Sequence, residues 1–198
     1  MVSDPQRNLD DGPDRGDVAG PRVVIIGPPG SGKTTVGRIL ARLLGVELRD
    51  TDQEIELHQA RSISDIFVEQ GEPAFRELER AEATSALASH RGVLSLGGGA
   101  VMEPATAAAL AGHTVVFLDV GIADAAARVG FNRSRPLLAV NPRAQWTAMM
   151  QVRRPTYEQL ATFTVLTAGR TQQDVAAEIV QHLRSRGLET ETGGEARE

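Results

Sequence analysis

The residues best equipped for chemistry begin at Gly27. The run Gly27-Pro28-Pro29-Gly30-Ser31-Gly32-Lys33-Thr34 satisfies the spacing G-x-x-x-x-G-K-[ST], directly after the apolar stretch 23–26 and directly before an amphipathic one. Glycines here let the main chain curl around phosphate oxygens and present successive N–H groups, and a helix starting near Lys33 adds its positive end. Lys33 is then placed to reach the β- and γ-phosphates of a nucleotide, and the Thr34 hydroxyl to ligate the Mg²⁺ that bridges them. Gly30, Ser31 and Gly32 form the cradle. Thr35 either joins it or packs and caps the first helical turn.

A second group follows at Asp50 and Asp52, two carboxylates spaced i, i+2 after a short apolar stretch. One can hold Mg²⁺, directly or through water, and the other can accept a hydrogen bond from a hydroxyl attacking phosphorus; an acidic turn capping the next helix is the structural alternative. Gly97-Gly98-Gly99 follows the run 93–96, where residues without side chains either admit a ligand close to the backbone or form a flexible turn. Arg76, in Phe75-Arg76-Glu77-Leu78-Glu79-Arg80, is either a ligand for an anion or one partner in a solvated ion-pair network. The stretch 128–140 fits neither the helix nor the strand period and mixes Gly, Pro and the arginines Arg128, Arg133 and Arg135, so it reads as a mobile flap.

Taken with Arg135-Pro136-Leu137-Leu138 and Arg153-Arg154-Pro155-Thr156-Tyr157, this constellation resembles the shikimate kinase family over about residues 23–186. The resemblance implies transfer of the γ-phosphoryl group of ATP, carried with Mg²⁺, to the 3-hydroxyl of shikimate. It gives Asp50 to the metal and Asp52 to the substrate hydroxyls. Arg76 and Arg153 would hold the substrate carboxylate, a task suited to a planar guanidinium that makes two parallel charge-assisted hydrogen bonds. Gly98, flanked by Gly97 and Gly99, would lie against the substrate ring. Arg135 matches the family's lid arginine, and its closing would bring a cation over the transferring phosphoryl group beside Lys33. Arg128 is a further candidate on the nucleotide, and Arg133 reads as a solvated loop charge. Arg170 occupies the place of an arginine that packs on adenine, although Ala168-Gly169-Arg170-Thr171 lacks the Pro often found just beyond.

These groups need a frame, and the chain supplies one by alternating short β-branched stretches with longer amphipathic ones. Strands are predicted at 23–26, 46–48, 93–96, 114–118 and 163–166, and helices at 33–44, 53–58, 64–70, 72–90, 104–111, 123–129, 143–160 and 172–186. The expected fold is α/β: a five-stranded parallel sheet flanked by helices, of the P-loop, nucleoside-monophosphate-kinase-like kind, with a mobile lid. One kinase domain spans 21–186, with a substrate-binding part at about 51–90 and the lid at about 128–142. Residues 1–20 and 187–198 cannot bury enough apolar surface to order themselves and read as a disordered leader and tail.

Composition removes several function classes. The formal charge of -5 lacks the basic footprint of a nucleic-acid binder, and the absence of Cys excludes disulfides and thiolate zinc sites. No apolar run is long enough for a membrane span or a secretory signal, which makes the cytoplasm the default. His58, His90, His113 and His182 show no ligand spacing, and Trp146 reads as core or hinge filling. No long apolar face is left over, so a monomer is expected. The alternatives that stay open are a gluconate- or nucleoside-monophosphate-type kinase and a non-catalytic ATP-binding regulator.

Overall fold

Val23–Ile26 is four consecutive β-branched residues, a pattern that only a strand covered on both faces can bury, and all four are buried. This strand, β1, lies at the centre of the sheet in the computed structural model, which describes residues 20–129 and 141–187. The elements that follow are α1 (Lys33–Leu44), β2 (Leu48–Asp50), α2 (Thr51–Gln59), α3 (Ile63–Ser89), β3 (Val93–Ser95), a 3₁₀ turn (Ala100–Met102), α4 (Pro104–Ala109), β4 (Val115–Asp119), α5 (Ile122–Val129), α6 (Pro142–Leu160), β5 (Phe163–Leu166) and α7 (Gln172–Ser185). The strands pair in the order β2-β3-β1-β4-β5, every pair parallel, as the alternation of periods predicted. The expectations for the leader, the tail and most of the lid, Arg133 and Arg135 included, fall outside the described residues.

Each face of the sheet carries its own apolar layer. Val23, Ile25, Val116 and Val165 pack against Leu40 of α1 and Ile179 of α7, while Val24, Leu94 and Phe117 pack against Ala83 of α3 and Tyr157 of α6. A third, smaller cluster joins Ile55 of α2 to Ile66 and Phe75 of α3. It fixes these two helices against each other.

Around β2 and α2 the element bounds differ from expectation for an identifiable reason. The second strand begins at Leu48, not at Val46, because Val46 N–H is still committed to Ala41 O at 2.9 Å, completing the C-cap built on left-handed Gly45. The strand therefore ends on Asp50 itself, and α2 starts at Thr51, two residues before the predicted start. The break predicted between 64–70 and 72–90 falls at Gly71, whose φ of 83° and ψ of 169° interrupt α3 in a conformation reserved for glycine.

Candidate active site

A parallel sheet delivers its loops to one edge, and ligands lie outside the carboxyl ends of the strands. Here the 27–34 loop leaves β1, Asp50 closes β2, Gly97–Gly99 leave β3 and Asp119 closes β4. A cleft of about 900 Å³ opens above them, lined by Lys33, Thr34, Asp50, Asp52, Arg76 and Arg153 among others. The sequence therefore named groups that the fold brings to one place.

The phosphate end is built from main chain. Helices α2, α3, α6 and α7 have side-chain caps from Asp50, Ser62, Asn141 and Thr171, whereas Gly32 caps α1 with no side-chain acceptor and no acid in the first turn. That N-terminus keeps its N–H groups and its dipole for an anion. Lys33 folds back so that Nζ donates to Gly27 O at 2.9 Å and Pro28 O at 3.3 Å. Burial lowers its pKa, against the pull of Asp52 and Asp50. Gly30, Gly32 and Thr35 also line the cleft, Thr35 with its side chain exposed, while Ser31 is buried beneath the loop.

Arg128, on the last turn of α5, donates to Gly30 O and Ser31 O at 3.4 Å each, and to Thr167 Oγ1 and O at 3.1 and 2.9 Å. It ties the phosphate loop to the turn after β5. Arg170 is engaged with Glu178 and with the carbonyls of Leu166 and Asp174, turned toward α7; Gln172, not Arg170, lines the cleft on this side.

The donor set fits a hard cation travelling with a nucleotide. Thr34 Oγ1 donates to Asp50 Oδ2 at 2.7 Å, while Asp50 Oδ1 accepts from the N–H groups of Asp52 and Gln53 at 3.2 and 3.4 Å. One hydroxyl and one carboxylate oxygen beside an anion cradle suit Mg²⁺, which keeps waters and phosphate oxygens as its other ligands. No group of three His, Cys, Asp or Glu that could hold a metal occurs among the described residues.

The acceptor end is charged and crowded. Asp52, in the first turn of α2, has its pKa raised to about 6, chiefly by burial, with Asp50 and Glu79 adding to the effect and Lys33 opposing it. Arg76 Nη1 donates to buried Glu79 at 2.6 Å, and Nη2 to exposed Glu72 at 2.8 Å. Burial works against the Arg76 charge, and these two hydrogen-bonded carboxylates more than offset it. Arg153 Nη1 and the Tyr157 hydroxyl both donate to Gly98 O, at 3.0 and 2.5 Å. The glycine triplet has a steric reason: a Cβ on Gly97 would lie 2.4 Å from Asp52 Oδ1, and one on Gly99 would lie 2.2 Å from Arg76 Nη1.

Comparison with known proteins decides among the readings of this arrangement. The family model for shikimate kinase matches residues 29–184. The shikimate kinase of Thermobifida fusca is 54% identical over 167 residues, covering 84% of this chain and 97% of that protein. That of Salinispora tropica is 55% identical over 165 residues, covering 83% and 99%. The chain belongs to the shikimate kinase family. Among solved structures, shikimate kinase from Acinetobacter baumannii in complex with shikimate superposes with a TM-score of 0.77 at 35% identity, covering 86% of this chain and 96% of that one. Membership makes the chain an ATP-dependent phosphotransferase whose acceptor is an alcohol.

Within this shikimate kinase fold, three residues of the site were given no role there by sequence reasoning. Glu79 looked like one more acid in an ion-pair network, yet it is buried on the face of α3 that also carries Phe75, Glu82, Ala83 and Ala86. That spacing was the available signal, since Glu79 follows Phe75 by four residues and precedes Glu82 by three. Tyr157 gave no such hint. Trp146 does fill core, as expected, but its Nε1 also donates to Pro29 O at 3.1 Å and its ring lines the cleft.

Proposed function

We propose that this chain phosphorylates the 3-hydroxyl of shikimate with the cleft described above, ATP's phosphates lying in the 27–34 loop and the acceptor lying over Gly97, Gly98 and Gly99. Lys33 leaves the carbonyls of Gly27 and Pro28 for the β- and γ-phosphates, joined by main-chain N–H groups of Gly30, Ser31, Gly32 and Thr34 and by Thr35 at the rim. Arg128 holds the loop in shape and Arg135 brings a further cation to the transferring group, while Arg170, held by Glu178 and turned toward α7, takes no part on the nucleotide. Thr34 and Asp50 would hold Mg²⁺, which when bound would neutralise phosphate charge.

Arg76 and Arg153 fork onto the acceptor's carboxylate and thereby aim its ring. Asp52 accepts a hydrogen bond from the attacking hydroxyl; because phosphoryl transfer passes through a loose transition state, orienting that oxygen matters more than base strength. The observation that carries this reading is the pairing of two partly exposed guanidiniums with the half-buried carboxylate of Asp52 across a side-chain-free floor, beside a phosphate loop. A nucleobase would call for neutral donor and acceptor groups there, whereas a hydroxylated acid suits this set.

Residues 21–186 form one kinase domain, acting as a monomer in the cytoplasm; no described helix is long and apolar enough to cross a membrane. The test is ADP release from Mg·ATP with shikimate, gluconate, nucleoside monophosphates or no acceptor. Release that needs shikimate supports the reading. Release with another acceptor, or none with any, overturns the acceptor assignment.

A further inference from the structure

Arg153 and Arg154 are chemically alike and adjacent, but successive helical residues point about 100° apart. Arg153 turns into the cleft toward Gly98, while Arg154 turns to the end of β4. Next to them Pro155 sits inside the span of α6. Having no N–H, it removes the main-chain hydrogen bond to the carbonyl of Gln151 and crowds that carbonyl. The turn that carries Arg153 therefore lacks one of its main-chain hydrogen bonds. A clamp arginine on such a turn needs support from outside the helix if it is to hold a fixed angle.

Arg154 supplies that support. Its Nη1 and Nη2 donate to Asp119 Oδ2 and Oδ1 at 2.9 and 2.7 Å, a two-bond fork onto a carboxylate at the carboxyl end of the interior strand β4. Its guanidinium carbon also lies 5.9 Å from the centroid of Phe117, two residues back on the same strand. Phe117 stacks on Tyr157 with centroids 5.1 Å apart, and Tyr157 shares the Gly98 carbonyl with Arg153. The contacts close a circuit from β4 through Arg154 and α6 to the loop after β3, and Arg153 lies inside it. We propose that Arg154, through its fork on Asp119, is a positioning residue that sets the angle of Arg153 toward the acceptor's carboxylate. The inference rests on the reading of Arg153 as a carboxylate clamp.

The test measures kcat and KM for shikimate and for ATP in the full chain, with Arg154→Met, Arg154→Lys, Asp119→Asn and the Arg154→Met/Asp119→Asn pair, alongside Arg153→Ala. Breaking the fork should raise KM for shikimate about tenfold and leave KM for ATP within about twofold, with the double variant no worse than the single ones. Lys, which lacks the fork, should recover only part of the loss. Shikimate methyl ester, which has no carboxylate to clamp, should be turned over almost equally by wild type and Arg154→Met. An equal loss with acid and ester, or a fall confined to kcat and thermal midpoint, would show that Arg154 only stabilises the fold. An unchanged KM for the acid in the Arg154 variants, with Arg153→Ala raising it, would overturn the brace and leave the clamp. An unchanged KM in Arg153→Ala would remove the clamp, and the brace with it.

Discussion

Thr34 donates its hydroxyl to Asp50 Oδ2 across 2.7 Å while Asp50 Oδ1 caps α2, so one carboxylate serves the metal side of the site and the start of a helix together. The two roles separate under substitution. Asn keeps an acceptor for the cap, so Asp50→Asn should cost less than about 1 kcal/mol of stability, whereas Asp50→Ala should cost about 1 kcal/mol more. Both lose the charge beside Thr34. ADP release should then need much higher Mg²⁺, with kcat/KM down by about 100-fold at a fixed metal concentration. A magnesium titration at constant ATP checks this, and an unaltered Mg²⁺ requirement would take Asp50 out of the metal's coordination.

What the sequence could disclose follows from where each partner lies. The phosphate loop is contiguous, its glycines are dictated by local geometry, and every residue of it could be named in advance. Asp50 could be singled out but not its double role, because the start of α2 at Thr51 depends on where β2 begins, and that depends on the Gly45 cap. Glu79 and Glu72 have the same chemistry and the same partner in Arg76, yet side-chain exposures of 4% and 62% set them apart. Only the packing of α3 against the sheet makes that distinction. The Arg154 fork is less legible still, since Asp119 lies 35 residues away on a strand whose neighbour is set by the topology.

Asp52 gives a pH dependence with a definite sign. Its folded-state pKa of about 6 stands above the ordinary 3.8, so between those values the folded chain holds a proton that the unfolded chain has released. Stability therefore falls as pH rises through that window and stays lower above it. Asp52→Asn removes the titration. At pH 7.5 it should be more stable than wild type by about 1–2 kcal/mol, a difference that fades near pH 4. Thermal midpoints of the two chains across that range provide the check. Catalysis should run the other way, because the ionised form is the acceptor of the hydroxyl proton. The acid limb of kcat/KM for shikimate should bend near pH 6, and the Asn variant should lose most turnover.

Gly97 and Gly99 separate a stability effect from a binding effect. Alanine at Gly99 puts a methyl against the tip of the Arg76 side chain, which can swing aside, so the fold should survive and KM for shikimate should rise with KM for ATP unchanged. Alanine at Gly97 meets both Asp52 Oδ1 and Glu79 Oε1, at 2.4 and 2.7 Å, in a buried setting. Overpacking there should cost about 1–3 kcal/mol as well as activity. Thermal melts beside the two KM values distinguish the cases. Equal destabilisation by both substitutions would mean that Arg76 is held too firmly to move.

Trp146 is the chain's single tryptophan and hydrogen-bonds the phosphate loop through Pro29 O at 3.1 Å, so its emission reports on the cleft without background. A nucleotide drawn into the loop changes the polarity and the hydrogen bonding around the indole. Saturating Mg·ADP should therefore shift or quench the emission, and adding shikimate should change it again, because the ring also lines the cleft. Trp146→Phe keeps much of the ring's packing and loses the N–H donor. It should weaken nucleotide binding by about 1 kcal/mol, the worth of one neutral hydrogen bond, with a smaller effect on KM for shikimate. Calorimetric titration of wild type and variant with Mg·ADP measures the difference, and equal affinities would show that the Pro29 carbonyl holds its place in the loop without the indole.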